Sequence, residues 1–267
     1  MSLLVAQALG LEYPGPLRAL EGVDLALEPG ELVAVIGPNG SGKSTLLRCF
    51  AGLLQPSSGC VFLRGRPLAE VGVRERAREL AVVPQFLPEL PDVLASDFVL
   101  GGRYAHHRRW SGARARDHES VREALAACDA GDLGARRMSE LSGGQRQRVL
   151  VARAVAQEAR VLLVDEPTSA LDPEHQLRVF ALLGGLAGRG RAALVATHDL
   201  NLASQFASRL VLLDAGRVAA DGPVERVLRR EVLEPVYGPH LFYGRAEDER
   251  GARAFVLPWR ARANGSD

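Results

Sequence analysis

At 267 residues, 47% hydrophobic and 24% charged, the chain has the composition of a soluble globular protein, with room for one large α/β domain or two small ones. Its net charge of +1 gives no case for charge-driven nucleic-acid binding, and no apolar run approaches the ~18 residues that span a bilayer. Met1-Ser2-Leu3-Leu4-Val5 lacks the basic region and cleavage site of a signal peptide, and the three cysteines (Cys49, Cys60, Cys128) have no metal-ligand spacing, so a cytoplasmic chain with reduced thiols is expected.

Leu3 to Leu11 is an apolar stretch that Tyr13-Pro14-Gly15-Pro16 breaks, and Val23-Asp24-Leu25-Ala26-Leu27 alternates as a strand with one buried face does. Tyr13 has two readings, a half-buried sheet aromatic or a platform on which adenine stacks, a contact of about 0.5–1.5 kcal/mol. Pro29-Gly30-Glu31 turns into the apolar run Leu32-Val33-Ala34-Val35-Ile36, which feeds Gly37-Pro38-Asn39-Gly40-Ser41-Gly42-Lys43-Ser44. This is G-x-x-x-x-G-K-S, the phosphate-binding loop, in the strand–loop–helix context the motif needs, with Thr45 to Ala51 as the helix. The glycines let backbone N–H groups close around phosphate oxygens, and the helix N-terminus adds its positive end. Lys43 would reach the β- and γ-phosphates, and the Ser44 hydroxyl would ligate Mg²⁺. Lys43 is the only lysine among 33 Lys+Arg. Elsewhere the chain uses arginine; here it uses the compact ammonium, which fits among phosphate oxygens without a guanidinium fork.

Gln55 to Gly59 is expected to end this helix, Val61 to Gly65 to form a strand and turn, and Arg74 to Glu79 another helix. Leu80 to Gln85 reads as a strand ending on a polar residue. Residues 86–140 differ in texture: after Pro88 and Pro91 come helical stretches, including Glu119 to Ala127, and an Arg/His-rich patch from Arg103 to Arg116 around Trp110. This is a helical insertion in an α/β framework. His106-His107 is expected in a solvated loop and the basic patch on a solvated face, with contact to a partner or lipid head groups as the other reading. Leu141-Ser142-Gly143-Gly144-Gln145 precedes a helix from Arg146 to Ala156. It is either a serine N-cap or a second phosphate-binding terminus. One chain has little use for two such termini on one nucleotide; two chains placed head to tail do.

Val161-Leu162-Leu163-Val164-Asp165-Glu166 is a buried strand ending in two carboxylates, at the edge where α/β ligands bind. Asp165 fits an Mg²⁺ ligand acting through water, and Glu166 fits the general base for an attacking water; the plain alternative is a strand-end acid capping the next turn. Pro173 suits the first turn of a helix from Glu174 to about Ala187. Arg191 to Ala196 is another buried strand, ending at Thr197-His198-Asp199 before a helix from Leu200 to Ala207. His198 could be a core histidine or could sense a γ-phosphate. Leu210 to Gly222 reads as a hairpin and Val224 to Leu233 as one helix. Phe242-Tyr243-Gly244 and Ala254 to Leu257 form a small terminal hairpin around a charged turn at Glu247 to Arg250, and Asn264 to Asp267 is a frayed tail.

From Leu3 to Gly238 these pieces resemble the ATP-binding subunit of ABC transporters. The likeness is carried by the phosphate loop, L-S-G-G-Q at 141–145, V-L-L-V-D-E at 161–166, S-A-L-D at 169–172 and a switch histidine at 198, in that order. It implies a P-loop NTPase (RecA-like) α/β core with an antiparallel β subdomain and an inserted α-helical subdomain at about 86–158, all within an ATP-binding domain at 1–238, followed by a hairpin extension and tail at 239–267. It implies ATP on Gly37 through Thr45, adenine on Tyr13, and Mg²⁺ at Ser44, Gln85 and Asp165. Glu166, His198 and Gln85 become the catalytic residues, with Gln85 also linking the Mg²⁺/water site to the membrane partner. Leu141, Ser142, Gly143, Gly144 and Gln145 become the signature that closes over the other subunit's ATP, and Asp172 belongs to the D-loop at the dimer interface.

H-D-L-N-L-A at 198–203, T-S-A-L-D-x-x-H-Q at 168–176, G-R-Y at 102–104 and V-Y-G at 236–238 look like the importers of iron chelates, haem and cobalamin, the second of these leaning towards siderophore or haem systems. In such systems a homodimer of this subunit docks beneath two polytopic permease subunits at the cytoplasmic face of the membrane, served by an extracytoplasmic substrate-binding protein, and no nucleic acid is involved. A soluble ABC ATPase of translation or DNA repair usually carries paired cassettes or large insertions, which this chain lacks.

Overall fold

The run Leu32–Ile36 has every residue buried, as a strand covered on both faces must, and the main sheet assembles around it. The computed structural model describes residues 1–15, 18–87, 89, 91–107, 112–248 and 251–259. The chain opens with β1 (Leu4–Glu12), β2 (Arg18–Leu27), β3 (Leu32–Ile36), α1 (Lys43–Phe50), β4 (Ser58–Leu63), β5 (Arg66–Pro67), α2 (Val73–Glu79) and β6 (Leu80–Val83). Then come three helices, α3 (Ala95–Leu100), α4 (Ala115–Ala127) and α5 (Gly143–Ala156). The second half alternates: β7 (Val161–Asp165), α6 (Pro173–Ala187), β8 (Ala192–Ala196), α7 (Leu200–Phe206), β9 (Arg209–Asp214) and β10 (Arg217–Gly222). The short α8 (Val224–Val227) and α9 (Arg230–Tyr237) lead to β11 (Leu241–Asp248) and β12 (Gly251–Pro258).

The main sheet runs β10-β9-β3-β8-β7-β6, parallel except for β10; β2-β1-β4-β5 form an antiparallel sheet, and β11 pairs with β12. Side-chain alternation splits the core into two layers. Val33, Val35, Leu163 and Leu194 face Leu46, Phe50 and the antiparallel sheet, whereas Ala34, Ile36, Leu162, Val164 and Val195 face Val149, Phe180 and Leu183 of α5 and α6. Each fully buried large aliphatic contributes about 1.5–3 kcal/mol, so the sheet, inserted between two apolar layers, is the rigid part of the molecule. Its parallel register places Val35 opposite Ala196, Ala196 opposite Asp165, and Val164 opposite Val83. The loops after β3, β8, β7 and β6 therefore leave one edge together. The terminal hairpin rests on α7, where the Val256 N–H donates to Asn201 Oδ1 at 2.9 Å.

Four local expectations change. The first helix ends at Phe50, before Gln55, because Gly52 (φ 65°) closes a reverse turn: its N–H reaches Cys49 O and the Leu53 N–H reaches Arg48 O, each at 2.9 Å. Val224 to Leu233 is two helices, because the chain turns at Leu228 (ψ 48°), seating Val224 and Val227 from one piece and Leu233 from the other in the core. The Arg103–Arg116 patch is not simply a solvated face. Arg103 is buried, with Nε donating to Asp117 Oδ1 at 3.1 Å and Nη1 reaching Glu158 Oε2 and the Ala156 carbonyl, both at 2.8 Å. His106 and His107 are half-buried, not solvated: His106 Nε2 bonds the Gln157 carbonyl at 2.8 Å, and His107 Nε2 lies 3.4 Å from Asp117 Oδ2. The G-R-Y wording thus has packing reasons, since a Cβ on Gly102 would meet the Arg153 carbonyl at 2.5 Å. Pro88, Trp110, Glu249, Arg250 and the 264–267 tail lie outside the described residues.

Burial pushes the Asp117 carboxyl up, but the Arg114 amide and the Arg103 guanidinium outweigh it and hold it below the ordinary value. A carboxyl lowered by folding stabilises above its unfolded pKa and loses that contribution as pH falls through the folded one. Wild-type protein is expected to lose stability below about pH 4, where free aspartate titrates, and Asp117→Asn to lose less over the same range. At neutral pH the same substitution, leaving Arg103 underpaired, should cost about 1–3 kcal/mol in denaturant unfolding; an unchanged midpoint would remove the pair from this account.

Candidate nucleotide site

The loop after β3 is shaped by glycines in backbone conformations that strain any other residue. Gly37, Gly40 and Gly42 have φ of 150°, 80° and 104°. At Gly37 and Gly42 space is limiting too: a Cβ would stand 2.1 Å from the Leu213 carbonyl oxygen and 2.4 Å from that of Ala19. Lys43 opens α1 with its side chain turned back along the loop, and Nζ donates to the carbonyls of Gly37 and Pro38 at 2.8 and 3.0 Å. The ammonium is buried, and burial pushes its pKa below that of an ordinary lysine against the pull of Glu166 and Asp165. Ser41 Oγ, in the same loop, is buried without a hydrogen-bond partner among the described residues. A buried cation with neutral partners and an unpartnered hydroxyl in a loop of backbone amides fit a polyphosphate.

Ser44 Oγ donates to Asp165 Oδ1 at 2.9 Å. Burial raises the Asp165 pKa, and the Ser44 hydroxyl, Arg48 and Lys43 only partly offset it. Gln85, just past β6, lines one cavity with Asp165, Arg48, Leu53 and Phe86. Hydroxyl, carboxylate and amide are hard oxygen donors, and a buried carboxylate gains from a cation, so this set fits Mg²⁺. Tyr13 is half-buried against the antiparallel sheet, and its hydroxyl shares a hydrogen bond of 3.2 Å with Thr45 Oγ1, beside the first turn of α1.

Glu166 follows β7 in the left-handed region (φ 47°), a strained conformation for this side chain, costing of order 1–3 kcal/mol. The neighbouring strand and the following loop hold it there: the Glu166 N–H donates to the Ala196 carbonyl at 2.9 Å, and the Ser169 hydroxyl donates to the Glu166 carbonyl at 3.3 Å. The carboxylate is buried and meets His198 Nδ1 at 2.6 Å. An ionised carboxylate only accepts, so Nδ1 carries the proton. His198 leaves β8 one residue beyond Thr197, whose N–H binds the Val35 carbonyl at 3.1 Å, and its ring is mostly exposed. The structure thus joins the two residues whose separate readings the sequence left open.

Ser142 is the N-cap of α5 in a capping box: Ser142 Oγ accepts from the Gln145 N–H at 3.3 Å, and Gln145 Oε1 accepts from the Ser142 N–H at 3.0 Å. The helix terminus is exposed and lies against residues 170–171: a Cβ on Gly144 would stand 3.0 Å from the Ala170 carbonyl oxygen. No hydrogen bond among the described residues ties it to the phosphate loop. Asp172 N-caps α6, accepting from the His175 N–H at 3.0 Å. Gln176 is a further residue of the site: its Nε2 donates to the carbonyls of Thr168 (3.2 Å) and Leu171 (3.1 Å) and so shapes the loop between Glu166 and α6. Its sequence signal lies in the T-S-A-L-D-x-x-H-Q run.

The family profile described as ABC transporter matches residues 20–169. Over 243 residues the chain is 46% identical to the hemin import ATP-binding protein HmuV of Pseudomonas aeruginosa, covering 89% of this chain and 93% of that protein. It is 38% identical over 242 residues to a protein of Bacillus subtilis named probable siderophore transport system ATP-binding protein YusV, covering 89% and 86%. Among solved structures it superposes on a metal-chelate type ABC transporter in an inward-facing conformation with a TM-score of 0.81 at 29% identity, covering 97% of this chain and 98% of that one. A dimeric ATP-binding cassette bound to ADP and phosphate after hydrolysis gives 0.76 at 28% identity, with 83% and 98% covered. The profile takes in more than half of the chain and the relatives nearly all of it: the chain belongs to the ABC transporter family, as one of its ATP-hydrolysing members.

Proposed function

We propose that this protein drives uptake of an iron chelate, a ferric siderophore or haem, by binding and hydrolysing MgATP in a head-to-tail homodimer docked beneath two permease subunits at the cytoplasmic face of the membrane. The observation that carries the mechanism is a site in two halves. Lys43, Ser44, Asp165, Glu166 and His198 gather at one sheet edge, while the exposed terminus at Ser142–Gly144 is held elsewhere, against the loop before α6. A second copy placed head to tail supplies the missing half. The cargo rests on kinship with chains named for hemin and siderophore transport. Residues 1–238 form the ATP-binding domain, with its helical subdomain at about 86–158, and the hairpin and tail follow at 239–267.

In this reading Gly37 through Thr45 and Lys43 bind the phosphates, and Tyr13 stacks on adenine. Ser44, Asp165 and Gln85 hold Mg²⁺, which when bound neutralises charge on the phosphate oxygens. Glu166 takes the proton of the attacking water, and His198 keeps its carboxylate aimed through the 2.6 Å bond. Ser142, Gly143 and Gly144 donate to the partner's γ-phosphate, flanked by Leu141 and Gln145, with Asp172 at the interface. Charge-assisted hydrogen bonds contribute about 1.5–3 kcal/mol each, so several on one γ-phosphate drive closure, and hydrolysis removes the bridge. No helix of the described residues is long and apolar enough to cross a membrane; in this reading the permease subunits supply the path. Leu53, Phe86 and Tyr104, 64%, 70% and 67% exposed, offer apolar purchase to them, and the first two share a cavity with Gln85.

Glu166→Gln is expected to keep ATP binding while turnover falls about 10²–10⁴-fold; normal turnover in a phosphate-release assay would remove the base assignment. Lys43→Arg should lose nucleotide affinity in equilibrium binding, despite the chain's preference for arginine, and wild-type affinity would refute the steric argument. Ser142→Arg should spare ATP binding by the monomer and abolish hydrolysis. For the cargo, the complex reconstituted with its permease should hydrolyse ATP faster with a ferric siderophore or haem on the binding protein; stimulation by cobalamin alone would contradict the assignment.

A further inference from the structure

Asp129, just after α4, adopts the left-handed conformation (φ 53°), which aspartate and asparagine tolerate better than most side chains. Its carboxylate gathers three cationic side chains: Oδ2 lies 3.1 Å from Arg148 Nη1, 3.0 Å from Arg178 Nη1 and 3.4 Å from His175 Nε2. Arg148 also donates to the Asp129 carbonyl. Arg148 belongs to α5, the helix that begins at Ser142-Gly143-Gly144. His175 and Arg178 belong to the first turns of α6, the helix that Asp172 caps. His175 reaches back as well, with Nδ1 at 2.8 and 2.9 Å from the two oxygens of Asp172. One carboxylate therefore joins the signature helix to the D-loop helix, and one imidazole carries the connection on to Asp172.

The Asp129 and Arg178 side chains are 52% and 53% exposed, so these pairs add little to stability. What a shared carboxylate restricts is orientation: its partners on α5 and α6 are met together in one relative setting of the two helices. Gly144 and Ala170, which lie side by side, have no charged or hydrogen-bonding side chain to set such an orientation.

We propose that Asp129 and His175 are positioning residues that hold the signature and the D-loop of one chain as a single unit, so that both reach the partner's nucleotide together. This rests on the head-to-tail reading above. The test uses Glu166→Gln protein, which retains ATP, with dimerisation followed by light scattering as ATP is raised and nucleotide affinity measured separately on dilute monomer. Asp129→Asn keeps the left-handed turn and the side-chain size while removing the charge, and His175→Asn removes the second link. Each is expected to raise the ATP concentration for half-maximal dimerisation about tenfold, with monomer affinity and Tm unchanged, and the double variant should go little beyond either single one. Midpoints equal to the parent's, independent additive effects, or an equal fall in monomer affinity would overturn the proposal while leaving the dimer intact. A Glu166→Gln parent that stays monomeric in ATP would overturn the head-to-tail reading, and this inference with it.

Discussion

The site depends on two charges buried without a full counter-charge. The Lys43 ammonium is surrounded by loop carbonyls, and the Asp165 carboxylate has a serine hydroxyl as its nearest partner. Burial pushes both groups towards neutrality, the lysine downward and the aspartate upward. Lys43 at the start of α1 and Asp165 at the end of β7 are each only 7% exposed, so water offers either little relief. An anion beside Lys43 and a cation beside Asp165 would relieve both at once, and in the proposed function MgATP brings the two together. The glycines that admit no Cβ, the parallel register and the strained Glu166 backbone all keep this arrangement in place before nucleotide arrives.

In the proposed dimer a second constraint acts between chains. The N-terminus of α5 is capped internally by Ser142 and Gln145, yet it stays exposed. A helix terminus satisfied in this way can leave its cap for a better acceptor at small cost, since an exposed cap contributes about 1 kcal/mol. In the proposed dimer a γ-phosphate presented by the second copy is such an acceptor, and the capping and phosphate-binding readings of this stretch would be two states of one terminus.

The fold was legible wherever one local rule dominates. Continuous apolar runs marked β3, β7 and β8, the phosphate-loop motif located the start of α1, and Pro173 marked the start of α6. Rules that depend on a distant partner were not legible. The bond between His198 and Glu166 exists because β7 and β8 are paired with Asp165 opposite Ala196, a register no local pattern states. Arg103 reads as surface charge until Asp117 and Glu158 close over it, and the two histidines beside it follow. Gly52 is a different case: its reverse turn is local, but Gln55-Pro56 is the more conspicuous stop in the sequence.

The central claim is that each nucleotide is enclosed by the phosphate loop of one chain and the signature of another. Asn39 and Ser142 are both exposed, so a cysteine at either is open to a cross-linker, and with Ser142→Cys the backbone donors of Gly143 and Gly144 remain. In a background freed of the native cysteines and carrying Glu166→Gln, protein with Asn39→Cys is mixed with protein carrying Ser142→Cys and treated with a short thiol–thiol cross-linker. The account predicts an ATP-dependent product of twice the 28.7 kDa chain mass that forms from the mixture and from neither protein alone. A mixture that yields no such product in ATP, or the same yield without it, would contradict the shared site.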